Sequence, residues 1–216
     1  MEKAKRVDRV QNVLTEEELL RLLPEISVVL DEELQQGTID TFLNGCPDHF
    51  WVRPSSSTGK YHAEDERGEY GNWIHTKRVF ITYLSISRTY LEQQLITEYE
   101  REAGKSAALL HDMLKYGWPS ENREHTSNRH DVIGSNVARH IGGLPEEVWR
   151  PIHAHNGAWA EGMVPESDNE QILHIADYVA SKPVLGNPKI WRPAKEIMKA
   201  YPDIETIDDD AIESML

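Results

Sequence analysis

Apolar positions recur at three- and four-residue spacing in segment after segment of this chain, as expected of helices that each bury one face. Thr15-Glu16-Glu17-Glu18 is a capping box: its hydroxyl and the carboxylate three residues on can satisfy first-turn amides, and Leu19, Leu20, Leu22 and Leu23 follow. Pro24 interrupts the pattern. Ile26, Val29, Leu30 and Leu34 then predict a helix over Glu25 to Gln36, with Gly37 as its stop. From Cys46 to Gly71 the chain turns to Pro, Ser, Gly and charge, punctuated by Phe50-Trp51-Val52-Arg53-Pro54, and reads as loop. The next helix opens near Gly71 and carries His75, Arg78, Val79, Thr82 and Ile86 along one stripe. Arg88 to Glu102 reads as a partly exposed connecting helix ending near Gly104, and Lys105 to Lys115 as the helix after it. Further helices are predicted over His130 to Gly143, from Pro145 to the turn at His155-Asn156-Gly157, over Asn169 to Ser181, and over Pro193 to Tyr201. Asp208 to Asp210 reads as a helix cap or a solvated run.

Candidate chemistry begins where burial and polarity meet most abruptly. In Ala107 to Lys115 an apolar run feeds into the adjacent pair His111-Asp112, with Lys115 one turn after the His. Imidazole and carboxylate are the ligands of zinc, iron or manganese, and a buried Asp requires a cation or hydrogen-bond donors to offset its desolvation. In a helix the two side chains lie about 100° apart and can both reach one ion; a satisfied core hydrogen bond is the other outcome. His75 shares its helix face with the core and is a hydrogen-bonded core imidazole or a ligand. Arg78, one turn on, is placed to contact a phosphate or an acidic ligand. Asp177 lies beside Leu173 and Ala180, where an unpaired carboxylate is costly. His140, near a helix carboxyl end, reads as structural. Ser55 to His62 is not a phosphate loop, because Pro54 replaces the upstream Gly and Tyr61 stands where Ser or Thr holds magnesium. Arg53, Lys60 and His62 can still wall a phosphate pocket, or belong to a solvated loop.

Composition narrows the classes. At 216 residues and 39% hydrophobic, the chain fits one packed domain with a core that needs no covalent staples. Cys46 is the only cysteine, so no intrachain disulfide can form, and a reducing compartment is expected. The charged amino terminus is unlike a signal peptide and no apolar run is long enough to span a membrane, which predicts the cytoplasm. A net charge of −14 disfavours a sequence-independent grip on long nucleic acid. Small phosphorylated ligands stay open, since a bound metal and local bases can override the global field at one pocket.

The order His75, His111-Asp112, Asp177 resembles the HD-domain superfamily of metal-dependent phosphohydrolases, over roughly Gly59 to Lys182. Gly71-Asn72-Trp73-Ile74-His75-Thr76 is similar to its first-ligand helix, Leu109 to Lys115 to its signature, and Ile172 to Asp177 to its last ligand. Lys60-Tyr61-His62 and His155-Asn156-Gly157 look similar to the HD portion of certain bacterial 3′-to-5′ exoribonucleases. The resemblance implies an all-α, compact single-domain helical bundle: residues 1–58 a helical extension and loop packed on the core, 59–182 the catalytic domain, 183–216 a C-terminal helical extension. It implies a divalent transition metal (manganese, iron, cobalt, nickel or zinc) held by His75, His111, Asp112 and Asp177, and it puts His130 and His155 where two-ion relatives place further ligands. Where those relatives carry a His-His pair this chain has His155-Asn156, with His153 two residues earlier. That departure predicts a second ion bound weakly or not at all. The implied reaction is cleavage of a phosphoester bond in a nucleotide or short oligonucleotide by metal-activated water. Asp112 would orient the water or bridge two ions, and Lys115 and Arg78 would neutralise charge on the phosphorus oxygens. The alternatives are a 3′-to-5′ exonuclease on single-stranded RNA or DNA, and a non-catalytic metal- or nucleotide-binding module. Negative charge and the lack of a separate basic, aromatic-rich domain count against the first, and Lys115 beside the ligand set against the second.

Overall fold

Eight α-helices joined by turns and short 3₁₀ segments make up the described part of the chain, with no strand among the described residues. The structure, a computed structural model, describes residues 14–59, 62–118, 124–160 and 162–182. Lys60, the helix expected over Pro193 to Tyr201 and the run Asp208 to Asp210 lie outside them. Among the described residues no helix is long and apolar enough to cross a membrane.

Helix α1 (Glu16–Leu22) starts at the expected capping box, with Thr15 and Glu18 bonding reciprocally, and buries Leu19 and Leu22. Pro24 does break the pattern, into a 3₁₀ segment (Pro24–Val28). The helix expected over Glu25 to Gln36 is displaced: Asp31 is the N-cap, accepting from the Leu34 amide at 3.0 Å, and α2 runs Glu32–Gly45. Gly37 is therefore no stop. A side chain there would lie 2.8 Å from the carbonyl oxygen of Gly142 and closer still to Leu144, so the glycine serves a close approach between chain segments. Inside the expected loop, α3 (His49–Val52) turns Phe50 and Trp51 onto Phe42, with ring centroids 5.5 and 6.1 Å from it.

The longest helix, α4 (Gly71–Glu92), absorbs the start of the segment expected to connect it onward. The chain then reverses at Gln94, whose φ is +60°. A second capping box, Thr97 with Glu100, opens α5 (Glu98–Leu110). The boundary expected near Gly104 thus falls inside α5. A Cβ on Gly104 would meet the Tyr83 hydroxyl at 1.8 Å, so the glycine is where α4 and α5 cross. That hydroxyl donates to Asn169 on α8 (Asp168–Ala180) at 2.6 Å. With α6 (His130–His140) and α7 (Glu146–Ala154), these helices pack as α4 on α5 and α8, α7 on α5, α6 and α8. Trp73, Phe80, Tyr83, Leu109, Leu110, Met113 and Leu173 are buried completely in the core between them.

The N-terminal segments lie on this bundle through polar as well as apolar contacts. Trp73 donates to the Leu22 carbonyl at 3.1 Å, and Lys105 to the Val28 carbonyl at 2.9 Å and to Glu102. Lys77 pairs with Glu25 while both are buried. Such pairs gain little net stability, but leaving either partner alone would strand a buried charge.

Candidate metal centre

Helix α5 stops at Leu110, and His111 and Asp112 occupy the turns that follow it, not helical positions as their spacing suggested. A helix end leaves carbonyls without intrahelical partners. The His111 ring takes one of them, donating from Nδ1 to the Ala108 oxygen at 2.8 Å. The same local device recurs twice: His130 Nδ1 donates to the Ser127 carbonyl and His155 Nδ1 to the Ile152 carbonyl, each at 2.6 Å and each three residues back. A carbonyl only accepts, so all three rings carry their proton on Nδ1 and present the Nε2 lone pair.

Those lone pairs converge on Asp112. Its Oδ2 faces His75 Nε2 at 3.6 Å and His111 Nε2 at 3.4 Å, while its Oδ1 faces His130 Nε2 at 3.0 Å and His155 Nε2 at 3.5 Å. Asp177, from α8, accepts from His75 Nε2 at 2.9 Å and lies 4.0 Å from His111 Nε2. Two of the three groups of mutually close donor atoms meet there, His75-His111-Asp112-Asp177 and Asp112-His130-His155, sharing one carboxylate; the third is His62-Glu66-His75. His111 Nε2 and Asp112 Oδ1 are buried and have no hydrogen-bond partner. Lone pair faces lone pair, an arrangement that a cation stabilises and that protein donors leave unmet. The residues therefore fit a divalent metal, with backbone carbonyls orienting three of the four imidazoles.

The fourth imidazole is oriented by a carboxylate. His75 Nδ1 lies 3.4 Å from Glu66 Oε2, and Glu66 also receives His62 Nδ1 at 2.9 Å and Arg78 at 2.7 Å. Burial alone would discharge His75. The negative Glu66 and the hydrogen bond to Asp177 outweigh it and raise the imidazole's pKa to about 9. Desolvation would likewise favour neutral Asp112, yet the Lys115 ammonium, 2.5 Å away, holds its carboxyl well below the usual range. Asp177 is held low by its bond to His75, against the effect of its own burial. Burial pushes His155 down, keeping it neutral and able to ligate. A metal at the first group would thus displace the proton on His75 Nε2 and leave the one facing Glu66.

Beside these groups opens a cavity of about 510 Å³ lined by His62, Lys115, Asn156, Trp159, His174, Asp177, Tyr178, Ser181 and Lys182. Of the residues expected from the sequence, His75, His111, Asp112, Asp177, His130 and His155 come together, with Lys115 and His62 at the cavity. His153, the alternative to His155, stays outside both groups. Arg78 is engaged with Asp65 at 2.5 and 2.8 Å as well as with Glu66, so its contact is with acidic side chains and not with the cavity. Arg53 likewise lies elsewhere, its guanidinium 5.3 Å over the Tyr116 ring. Asn156 points its amide nitrogen at His130 Nε2, 3.0 Å away, where the two-ion pattern would place a ligand. Glu66, Trp159, His174 and Tyr178 were not singled out by the sequence. The four-residue spacing of His62 and Glu66, and of His174 and Tyr178, was the signal available for them.

An HD domain family model matches residues 72–182, just over half of the chain and the span that carries both groups of ligands. No curated protein and no solved structure matches the chain.

Proposed function

The chain belongs to the HD domain family of metal-dependent phosphohydrolases, and from that premise we propose that it hydrolyses a phosphoester bond in a nucleotide or short oligonucleotide. The observation that carries the reading is the convergence of unprotonated His Nε2 atoms and a buried, unsatisfied Asp112 oxygen beside a cavity of small-ligand size. A divalent transition metal bound there supplies a water of lowered pKa and polarises a phosphoryl oxygen. His75, His111, Asp112 and Asp177 would hold the ion; mixed imidazole and carboxylate ligation suits manganese, iron, cobalt, nickel or zinc. The shared carboxylate of Asp112 orients the attacking water. Lys115, kept cationic by Asp112 and Asp177 despite burial, neutralises charge that develops on the phosphorus oxygens. His62, at the cavity wall, contacts the phosphate side of the substrate.

Metal analysis of the purified protein, coupled to a hydrolysis screen that follows phosphate release from mononucleotides and product formation by chromatography from cyclic nucleotides and short oligonucleotides, tests this directly. His111→Ala or Asp112→Ala removes both the metal and the hydrolysis. Lys115→Ala keeps the metal and loses most of the rate, on the order of a hundredfold for one electrostatic contact made in the transition state. Either ligand variant retaining stoichiometric metal and normal turnover would sink the assignment.

A further inference from the structure

Trp159 is anomalous for its size: its indole is 73% exposed, at the wall of a cavity that also holds Asp177 and Lys115. An exposed indole at the wall of a concave polar site offers a ligand a large planar apolar face. Its surroundings are built. The 3₁₀ segment Gly157–Trp159 follows His155-Asn156 directly, so the same turn that presents a ligand imidazole presents the indole. Gly157 takes φ +55° there, and a Cβ on it would come within 3.1 Å of the His174 ring. His174 Nδ1 donates to the His155 carbonyl at 2.6 Å, tying α8 to that turn. The His174 ring lies 5.7 Å from the indole, and Tyr178 lies nearly parallel to it, 6.0 Å away with planes 21° apart. Lys182 Nζ sits 4.3 Å over the Tyr178 ring. On α8 the positions 174, 177 and 178, followed by the C-cap Ser181, line the cavity, one helix face that carries a carboxylate of the metal group beside two rings of the wall.

We propose that this wall of Trp159, Tyr178 and His174 seats a nucleobase, so that the substrate of the site is a nucleotide recognised by stacking on Trp159 while its phosphate lies toward Asp177 and Lys115. The proposal rests on the phosphohydrolase reading above and adds to it the residues that take the base. A phosphorylated sugar offers the charged end of the cavity the same phosphate and the aromatic end only C–H groups in place of a planar π face. A planar base meets the free face of the indole, with Tyr178 behind it as support. Stacking accepts any base, because each has a π face, so the wall selects nucleotides as a class and not one base.

Isothermal titration of the manganese-loaded protein with adenosine 5′-monophosphate and with ribose 5-phosphate, phosphate release being followed in parallel, separates the two ideas. The wild type is expected to bind the nucleotide at least about tenfold more tightly than the sugar phosphate, in line with one aromatic–base stack. Trp159→Ala and Tyr178→Ala bring that ratio down toward unity, whereas Trp159→Phe keeps most of it. Metal content and circular dichroism of the variants confirm that the fold and ligand groups are intact. Absent nucleotide binding, a wild-type ratio near one, or a ratio unchanged in Trp159→Ala overturns the base seat, whatever the phosphate release. Silence across the whole hydrolysis screen, diester substrates included, with the nucleotide preference and its Trp159 dependence intact overturns the hydrolase reading and leaves the seat standing.

Discussion

At the scale of single residues, Asn156 is the most informative departure. His130 is fixed as an Nε2 acceptor by its bond to the Ser127 carbonyl, and Asn156 answers it with a donor at 3.0 Å. The amide thereby satisfies a lone pair that would otherwise be open to an ion shared with Asp112 and His155. A neutral donor in that place weakens the second group without disturbing the first, whose atoms it does not touch. Asn156→His removes the donor and adds an imidazole, so the variant is expected to raise bound metal from one ion per chain toward two, as counted by elemental analysis on protein dialysed against the metal. A count that stays at one would show that something other than Asn156 limits the second group. That these His and Asp residues come together was legible in the sequence through their order, His75, His111-Asp112, Asp177, which resembles the pattern of the HD domain family. Glu66 was not legible: its role depends on Arg78 and His62 closing around it from a loop whose path no periodicity describes.

At the scale of helices, reciprocal caps marked true starts at Thr15, Thr97 and Ser167, and the reading went wrong where a cap was passed over in favour of continuing periodicity. Arg88 to Glu102 looked like one helix because the polar residues around the reversal at Gln94 do not break a helical pattern, while a single residue at φ +60° does break the helix. Glycine misled in the opposite direction. Gly37 and Gly104 suggested helix ends, but both lie inside helices at close contacts, a fact set by partners distant in sequence. Gly104 gives a test with opposed expectations. Helix propensity alone makes Gly104→Ala stabilising by about 1 kcal/mol. The added methyl, 1.8 Å from the Tyr83 hydroxyl and 2.5 Å from Asn169 Oδ1, must instead displace both and break their buried hydrogen bond. Overpacking and the lost bond each cost roughly 1–3 kcal/mol, so a net loss of about 2 kcal/mol is expected, read as a lower Tm in thermal unfolding. A raised Tm would mean that the α4–α5 crossing is looser than it looks.

At the scale of the whole molecule, the charge balance was legible from the start and its consequence depends on where the bases lie. The chain carries 37 acidic against 23 basic residues. Of the four bases expected near the phosphate, Arg53 and Arg78 are directed to Tyr116 and to Asp65 and Glu66, Lys60 lies outside the described residues, and Lys115 lines the cavity, joined there by Lys182. Two lysines thus line the opening beside Asp177, on a chain whose net charge is negative. A long polyanion meets the repulsion of that net charge over many phosphates, and its affinity would have to come from contacts that phosphate neutralisation normally supplies. A mononucleotide meets only the opening, where metal and lysine act within a few ångströms and salt screens them least. Hydrolysis of mononucleotides or very short oligonucleotides is therefore expected to outpace that of long RNA at equal phosphate-bond concentration, with turnover of the small substrate changing only modestly between low and physiological salt. Tight, processive degradation of long RNA at physiological salt with mononucleotides inert would reverse that order, and would mean that the acidic surface is bridged by basic contacts outside the cavity.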